Sequence, residues 1–201
     1  MPNFTDLTGL AGVASATAAA VLLLPGMAKL ARPRRALLLG AVFVLMLIPF
    51  GAMPFAAYVR GMTGDLSITT LVLLYCAMLR PWCGAARFRH RFALLGLIAL
   101  ASIAFYPMAL GVGAYDPYQL GYGNLPFVAV LLLLALATWL RGYALITLCI
   151  ALATLAWAVG WYESDNLWDY LIDPFAAIYA LAVIMIIGVK TLLKWPRGRP
   201  R

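Results

Sequence analysis

Apolar runs separated by short polar joints repeat along this chain, and they restrict it to one fold class. A helix needs about 20 residues to cross the hydrocarbon core of a bilayer, and most of the runs approach that length. With 65% hydrophobic and only 11% charged residues, the composition lies far from that of soluble domains. We expect an all-α, polytopic transmembrane helical bundle, a single membrane domain over residues 1–201, with seven spans near residues 7–30, 36–58, 61–80, 92–112, 124–140, 143–161 and 174–193.

The positions of the basic residues predict an orientation for this bundle. Fourteen of the fifteen lysines and arginines lie in the joints after the first, third and fifth runs or in the C-terminal tail. Because such joints stay in the cytoplasm, the N-terminus is expected outside and the C-terminus inside, which requires an odd number of spans. The acidic residues were not used to choose this orientation, yet all seven fall in the predicted outer segments: Asp6, Asp65, Asp116, Glu163, Asp165, Asp169 and Asp173.

The net charge of +8 follows from this topology and does not indicate nucleic-acid binding. We expect the basic joints to contact the lipid bilayer through anionic headgroups on the cytoplasmic side, with Arg87, Arg89 and Arg91 as the headgroup candidates. The first basic cluster follows the first apolar run, so we expect no cleaved signal peptide. Abundant arginine and an outer N-terminus favour a bacterial inner (cytoplasmic) membrane, with an organelle membrane as the alternative.

Prolines and capping residues mark where the spans bend or begin. Pro49 and Pro54 in the second span, and Pro107 in the fourth, predict kinks because each proline removes a backbone hydrogen bond. Such kinks would either open an outer mouth or merely adjust helix packing. Asn124 and Asp173 stand just before apolar runs and predict helix N-caps at these positions.

The predicted outer segments hold the residues best suited to chemistry. The spans contain no charged residue at mid-membrane depth, so the sequence predicts no proton relay of the kind that many ion-coupled carriers use. The single histidine, His90, lies in a basic cytoplasmic joint, which leaves the outer side without histidine for nucleophilic or metal chemistry. The three cysteines have no spacing typical of a metal or redox site. We therefore expect no metal and no cofactor.

Arg60 is the one basic residue predicted outside, and it precedes Asp65 in the segment RGMTGD. One interpretation is an Arg60 to Asp65 ion pair across the turn 61–64, with Asp65 also capping the third span. Such a pair would lower the free-energy cost of holding either charge near the bilayer. In the alternative, Arg60 binds a phosphate through its fork of N–H donors, while Asp65 or Asp116 is the catalytic base or a metal ligand. The two interpretations are compatible with each other.

Acidic and aromatic residues are interleaved in the other two outer loops. In WYESDNLWDYLIDP, three acids spaced four residues apart predict a short interfacial helix with its acids facing outward. In AYDPYQLGYGN, the dominant signals are those of turns. Aromatic faces and carboxylates can also bind a sugar, a cation or a basic partner. The candidate ligand-binding residues are Arg60, Asp65, Asp116, Tyr118, Glu163, Trp168 and Asp169.

Three classes of function are compatible with these features. The first is a non-catalytic membrane subunit or assembly factor for cell-envelope processes, whose acidic outer face and basic inner face meet a membrane protein partner. Small residues at helical spacing in the first span suit packing either inside the protein or against such a partner. The second is a small envelope transferase acting on a lipid-linked phosphate or sugar at the outer leaflet, and the third is a channel or carrier for a small neutral or cationic solute. We favour the first class, and the sequence leaves open whether the protein is an enzyme.

Overall fold

The computed structural model describes residues 4–83 and 90–194, and these ranges are mostly helical, which confirms the all-α class. A two-stranded antiparallel hairpin, β1 (Pro49–Phe50) and β2 (Met53–Pro54), interrupts the helices. Short 3-10 helices occur at Met27–Lys29 and Pro117–Gly121. The α-helices in chain order are α1 Phe4–Leu22, α2 Arg32–Leu47, α3 Phe55–Thr63, α4 Ile68–Cys83, α5 Arg91–Ala109, α6 Leu125–Leu140, α7 Ala144–Ala158, α8 Leu167–Leu171 and α9 Pro174–Lys194.

Three helices in the described ranges are long and apolar enough to cross a membrane, namely α1, α5 and α9. The number rises to four if α3 and α4, which are bent by 119° relative to each other, count as one broken span. Helices α6 and α7 are also apolar but have only 16 and 15 residues. These helices support a membrane protein, whereas the seven-span count and the orientation remain predictions.

The second predicted span, 36–58, is helical only as far as Leu47. Ile48 is extended, the chain reverses through the hairpin at Gly51, where φ is +72°, and α3 starts after Pro54. The prediction of one kinked helix is therefore wrong for this region. Proline disfavours helical backbone at the residue before it, so Pro49 and Pro54 together end one helix and delay the next instead of bending a single one.

The third predicted span, 61–80, also needs a new N-terminal boundary. Residues up to Thr63 belong to α3, and Gly64 follows with φ of +71° and ψ of −171°, a backbone conformation that favours glycine. The backbone N–H of Gly64 donates to the carbonyl of Arg60, and α4 begins only at Ile68. Arg60 therefore lies in the last turn of α3. Residues 61–63, which were predicted to start the third span, belong to the same short helix.

The small-residue face of α1 packs inside the protein. Among the small residues at helical spacing, Ala19 is fully buried and Ala16 is 4% exposed, and α1 lies against α2, α3 and α4. Ala11, Gly12 and Ser15 are half-buried, and Ala20 alone of this set is exposed. Alanine at these positions lets helix backbones approach closely, which is how helices gain packing energy in lipid. Of the two interpretations of this face, internal packing is the one that the structure supports.

One basic residue of the predicted cytoplasmic joints is buried. Arg35 stands in the first turn of α2 with only 3% of its surface exposed, and its Nη2 donates to the carbonyl of Met78 on α4 at 3.4 Å. Hydropathy and charge counting place such an arginine at the surface. Its burial shows that it also fastens α2 to α4.

The ends of the helices form two groups. Several helix ends and loops meet at one end of the bundle, which we call the acidic end. They are the start of α1, the end of α3, the starts of α4, α6 and α9, the ends of α5 and α7, the 3-10 helix at 117–121, and α8. The exposed Arg32 and Arg34 lie at the opposite end, which we call the basic end, together with Arg91 and Arg141. The predicted outer loops are therefore neighbours in space.

Candidate functional site

Arg60 is surrounded by three carboxylates at the acidic end. Its Nε donates to Oδ1 of Asp65 at 2.6 Å and its Nη2 to Oδ2 at 2.8 Å, which makes a bidentate pair. Nη1 lies 3.4 Å from Oδ1 of Asp6, and Nη2 lies 3.3 Å from Oε1 of Glu163. The predicted Arg60 to Asp65 ion pair is confirmed, and it is part of a larger cluster that we call the Arg60 cluster (Asp6, Arg60, Asp65 and Glu163).

The Arg60 cluster joins four parts of the chain. Asp6 comes from the start of α1, Arg60 from the end of α3, Asp65 from the turn before α4, and Glu163 from the loop between α7 and α8. Arg60 and Asp65 are mostly enclosed, whereas the Glu163 side chain is 58% exposed. Water screens an exposed pair, so Asp65 contributes most to holding the guanidinium. One cation among three anions leaves the cluster with a net negative charge.

Gly9 makes room for the Arg60 cluster on the surface of α1. A Cβ atom at this position would lie 2.6 Å from Cζ of Arg60 and 2.6 Å from Oδ1 of Asp65. Such distances are far below van der Waals contact, so any side chain here must displace the ion pair. Gly9 was not singled out from the sequence, where it is one small residue among many in the first span.

We expect the substitution Gly9→Ala to destabilise the protein. Alanine normally favours a helix over glycine, but here its methyl group must push the guanidinium off Asp65, at an overpacking cost of about 1–3 kcal/mol. Thermal unfolding in detergent measures the change. Gly61→Ala is the matched control, because Gly61 lies in α3 next to Arg60 and a Cβ there meets no atom within 4 Å. Equal stability of the two variants would contradict the close approach of α1 to the ion pair.

Asp65 does not cap α4, and this part of the prediction is wrong. Ser67 Oγ accepts a hydrogen bond from the backbone N–H of Thr70 at 3.1 Å, as an N-cap does. The backbone N–H of Ser67 itself donates to Oδ2 of Asp173 at 2.7 Å. Both oxygens of Asp65 bind Arg60 instead. The carboxylate at the start of α4 is therefore that of Asp173, which is 106 residues away from Ser67 in the sequence.

Asp173 caps two helices at once. Its Oδ1 accepts from the backbone N–H of Ala176 in the first turn of α9 at 2.7 Å, which confirms the predicted cap. Its Oδ2 accepts from Ser67 at the start of α4, as described above. The residue is only 5% exposed, so the predicted outward orientation of the acids in this loop is wrong at Asp173. Buried backbone N–H groups at two helix starts explain why a carboxylate is stable here.

The loop between α7 and α9 is a packed segment and not a flat interfacial helix. Only Leu167–Leu171 is helical, and both Leu167 and Tyr170 are fully buried. Tyr170 donates to the carbonyl of Ser164 at 2.9 Å and accepts from the backbone N–H of Tyr162 at 3.0 Å. Asp165 is exposed, as predicted for all three acids. The structural role of Tyr170 has no local sequence signal, since aromatic residues in a membrane-proximal loop are usually assigned to the bilayer interface.

Asn166 connects this loop to the loop before α6. Its side chain is completely buried, its Nδ2 donates to the carbonyl of Tyr118 at 2.9 Å, and its Oδ1 accepts from the backbone N–H of Trp168 at 2.9 Å. Asn166 is therefore the N-cap of α8 as well as the bridge between two loops. Only the cap has a local sequence signal, because the bridge joins residues 48 positions apart.

Tyr118 and Asp169 contact each other. Oη of Tyr118 donates to Oδ2 of Asp169 at 2.9 Å, and the hydroxyl of Ser164 donates to the same oxygen. Burial and this bond to a carboxylate raise the pKa of Tyr118 above its usual value, because both disfavour the phenolate. Tyr118 is the hydrogen-bond donor in this contact.

Trp168 is packed among aromatic rings. Its ring centroid lies 4.4 Å from that of Phe105 on α5 and 4.8 Å from that of Phe127 on α6. Its Nε1 donates to the carbonyl of Pro117 at 3.0 Å. These contacts fasten α8 to the ends of two helices, and the predicted ligand role of Trp168 stays a prediction.

Asp116 starts the 3-10 helix that carries Tyr118. Its Oδ1 accepts from the backbone N–H of Tyr118 at 2.9 Å, which is a turn role of the kind that the DP dipeptide predicts. In the hydrogen bonds and ion pairs of the described residues, Asp116 does not meet Arg60. The two residues that were expected to share a catalytic site thus belong to separate groups.

The remaining candidates concern the basic end and metals. Arg91 is half-buried at the start of α5, while Arg87 and Arg89 lie outside the described residues. Within residues 4–83 and 90–194, no three His, Cys, Asp or Glu side chains are grouped as they would be around a metal ion.

Comparison with protein-family models, curated proteins and solved structures found no match to this chain.

Proposed function

We propose that this protein is a non-catalytic membrane subunit or assembly factor that acts in the cell envelope. The proposal is carried by one observation: the polar residues that looked most suitable for catalysis at the acidic end hold the chain's own segments together. Arg60 and Asp65 bind each other, Asp116 caps a 3-10 helix, and Asp169 accepts from Tyr118. A transferase would need some of these groups to face a substrate.

The geometry of Arg60 argues against a phosphate site in particular. The two guanidinium nitrogens that make the bidentate pair already hold both oxygens of Asp65. A phosphate on this fork would have to displace a carboxylate that the chain places only five residues away. Asp6 and Glu163 add negative charge on the remaining sides and repel a phosphate further.

The seven-span topology and the outer N-terminus form part of this proposal. Seven helices of 15 to 21 residues, α1, α2, α4, α5, α6, α7 and α9, follow one another in the order of the predicted spans. The shorter ones would require a locally thinned bilayer or flanking residues at the interface. With the acidic end outside and the basic end inside, the chain obeys the positive-inside rule and fits a bacterial inner membrane.

The apolar face of α2 is the surface that we assign to a partner. Leu37, Val44 and Leu45 on this helix are all more than half exposed. Gly40 lies among them, and a Cβ there would meet no atom within 4 Å. A helix edge with glycine at its centre allows the backbone of another helix to approach closely. The proposed occupant is a transmembrane helix of a second protein.

We expect a tagged protein, extracted in mild detergent, to carry one partner in a stoichiometric amount. Gly40→Leu places a bulky side chain in the middle of the α2 face, so the retained partner should fall by about tenfold, which corresponds to about 1.4 kcal/mol. Gly188→Leu is the matched control, because Gly188 lies on an exposed part of α9 and also has no atom within 4 Å of a Cβ. Quantitative mass spectrometry of the eluates measures the ratio.

Two results would count against this proposal. A monodisperse protein without any partner, extracted from its native membrane, would remove the subunit function. Equal loss of the partner in Gly40→Leu and Gly188→Leu would leave a partner but would exclude the α2 face as its docking surface.

A further inference from the structure

A lateral groove of about 330 Å³ lies between α4, α5, α7 and α9. Its walls are mainly apolar and include Leu73 and Ala77 on α4, Leu95 on α5 and Leu145 on α7. Ala77 is exposed and Leu73 is half-buried, so the groove is open along its side. An apolar groove on the side of a membrane helix bundle faces hydrocarbon, and hydrocarbon chains are the molecules available to fill it.

The lining residues of the groove come from both ends of the bundle. Phe105, near the end of α5, contacts Trp168 just before α9, so the end of α5 and the start of α9 lie together at the acidic end. Phe175, the second residue of α9, lines the groove at that end. Arg91, the first residue of α5, lines it at the opposite end. On α4 the lining runs from Thr70 to Ala77, which is about 10 Å along the helix axis.

Arg91 provides a charged group at the basic end of this groove. Its guanidinium lies over the ring of Phe92, 4.6 Å from the centroid. Within the part of the chain that the structure describes, no carboxylate lies within ion-pair distance of Arg91, whereas Arg60 has three such neighbours. Arg91 also stands in the first turn of α5, where the helix dipole favours negative charge. A phosphate at this position could accept hydrogen bonds from the Arg91 guanidinium and from the backbone N–H groups at the start of α5.

We propose that the groove binds one anionic phospholipid, with its phosphate on Arg91 and an acyl chain between α4 and α5. The site combines a hydrocarbon-lined channel and a guanidinium that none of the described carboxylates neutralises. In the orientation proposed above, the lipid comes from the inner leaflet. Binding of this lipid does not depend on the partner assigned to α2, so each proposal can fail without the other.

The test is native mass spectrometry of the delipidated protein with added dioleoylphosphatidylglycerol or dioleoylphosphatidylethanolamine. The intact protein should retain the anionic lipid in preference to the zwitterionic one. Arg91→Gln should lower the retained phosphatidylglycerol by about fivefold, since one basic residue near the headgroups contributes about a factor of that size. Arg34→Gln is the matched control, because Arg34 is exposed at the same end but does not line this groove, so it should lower retention by less than Arg91→Gln does.

A second variant tests the acyl-chain part of the proposal. Ala77→Phe keeps every charge and fills the groove from an exposed position, so it should lower lipid retention as strongly as Arg91→Gln while the protein stays monodisperse. Full lipid retention in Ala77→Phe would show that the lipid binds only at the surface, and it would contradict the proposal that an acyl chain occupies the groove. Equal binding of the two lipids, or equal retention in Arg91→Gln and Arg34→Gln, would overturn the role of Arg91.

Discussion

Substitution of Asp173 by alanine is expected to lower the free energy of unfolding by about 3–5 kcal/mol, because two hydrogen bonds to a charged group are lost together. Asp173 accepts from Ser67 and from Ala176 at 2.7 Å each, and it is almost completely buried. Without the carboxylate, the starts of α4 and α9 keep buried N–H groups that water cannot easily reach. Circular dichroism during thermal unfolding in detergent measures the effect.

Two further variants separate the cap from the charge. Asp173→Asn retains one acceptor oxygen but turns an NH2 group toward the second backbone N–H, so its stability should fall between those of wild type and Asp173→Ala. Asp165→Ala removes an exposed acid from the same loop, and it should change the stability by less than about 0.5 kcal/mol. If Asp173→Ala were as mild as Asp165→Ala, the carboxylate would not be linking the two helices.

Features that depend on neighbouring residues could be predicted from the sequence. Asn124 accepts from the backbone N–H of Phe127 at 3.0 Å, as its position before an apolar run predicts. The Arg60 to Asp65 pair joins residues only five positions apart, and the turn between them is short enough to be recognised. In both cases the interacting groups are held close by the local backbone, so residue type and spacing contain the necessary information.

Features that depend on the arrangement of the helices could not be predicted in this way. Asp6 joins the Arg60 cluster from 54 residues away, and Asp173 reaches Ser67 across 106 residues. Hydropathy also failed at 48–54, because the hairpin there is as apolar as a helix and only its backbone differs. Charge counting found the segments that meet at the acidic end, but it could not assign their hydrogen-bond partners.

Gly121 is the position where such a long-range arrangement should be most sensitive to one methyl group. A Cβ atom there would lie 1.7 Å from Oδ1 and 2.6 Å from Cγ of Asn166. Asn166 cannot move aside, because it is buried and both ends of its amide are bonded, to Tyr118 and to Trp168. We expect Gly121→Ala to destabilise the protein by about 2–4 kcal/mol, the sum of an overpacking term and a lost helix cap.

The cause of this destabilisation can be isolated with a double mutant. Asn166→Ala removes the group that the new methyl would strike, so adding Gly121→Ala to it should cost little more, and the two effects should be strongly non-additive. Gly96→Ala is the matched control: Gly96 lies inside α5 with no atom within 4 Å of a Cβ, and alanine there should be neutral or stabilising by up to about 1 kcal/mol. Additive effects of Gly121→Ala and Asn166→Ala on thermal unfolding would mean that the loops before α6 and before α8 are not fastened through Asn166. A large interaction energy would instead show that the two loops are held together through Asn166, so that the acidic end depends on this one long-range contact.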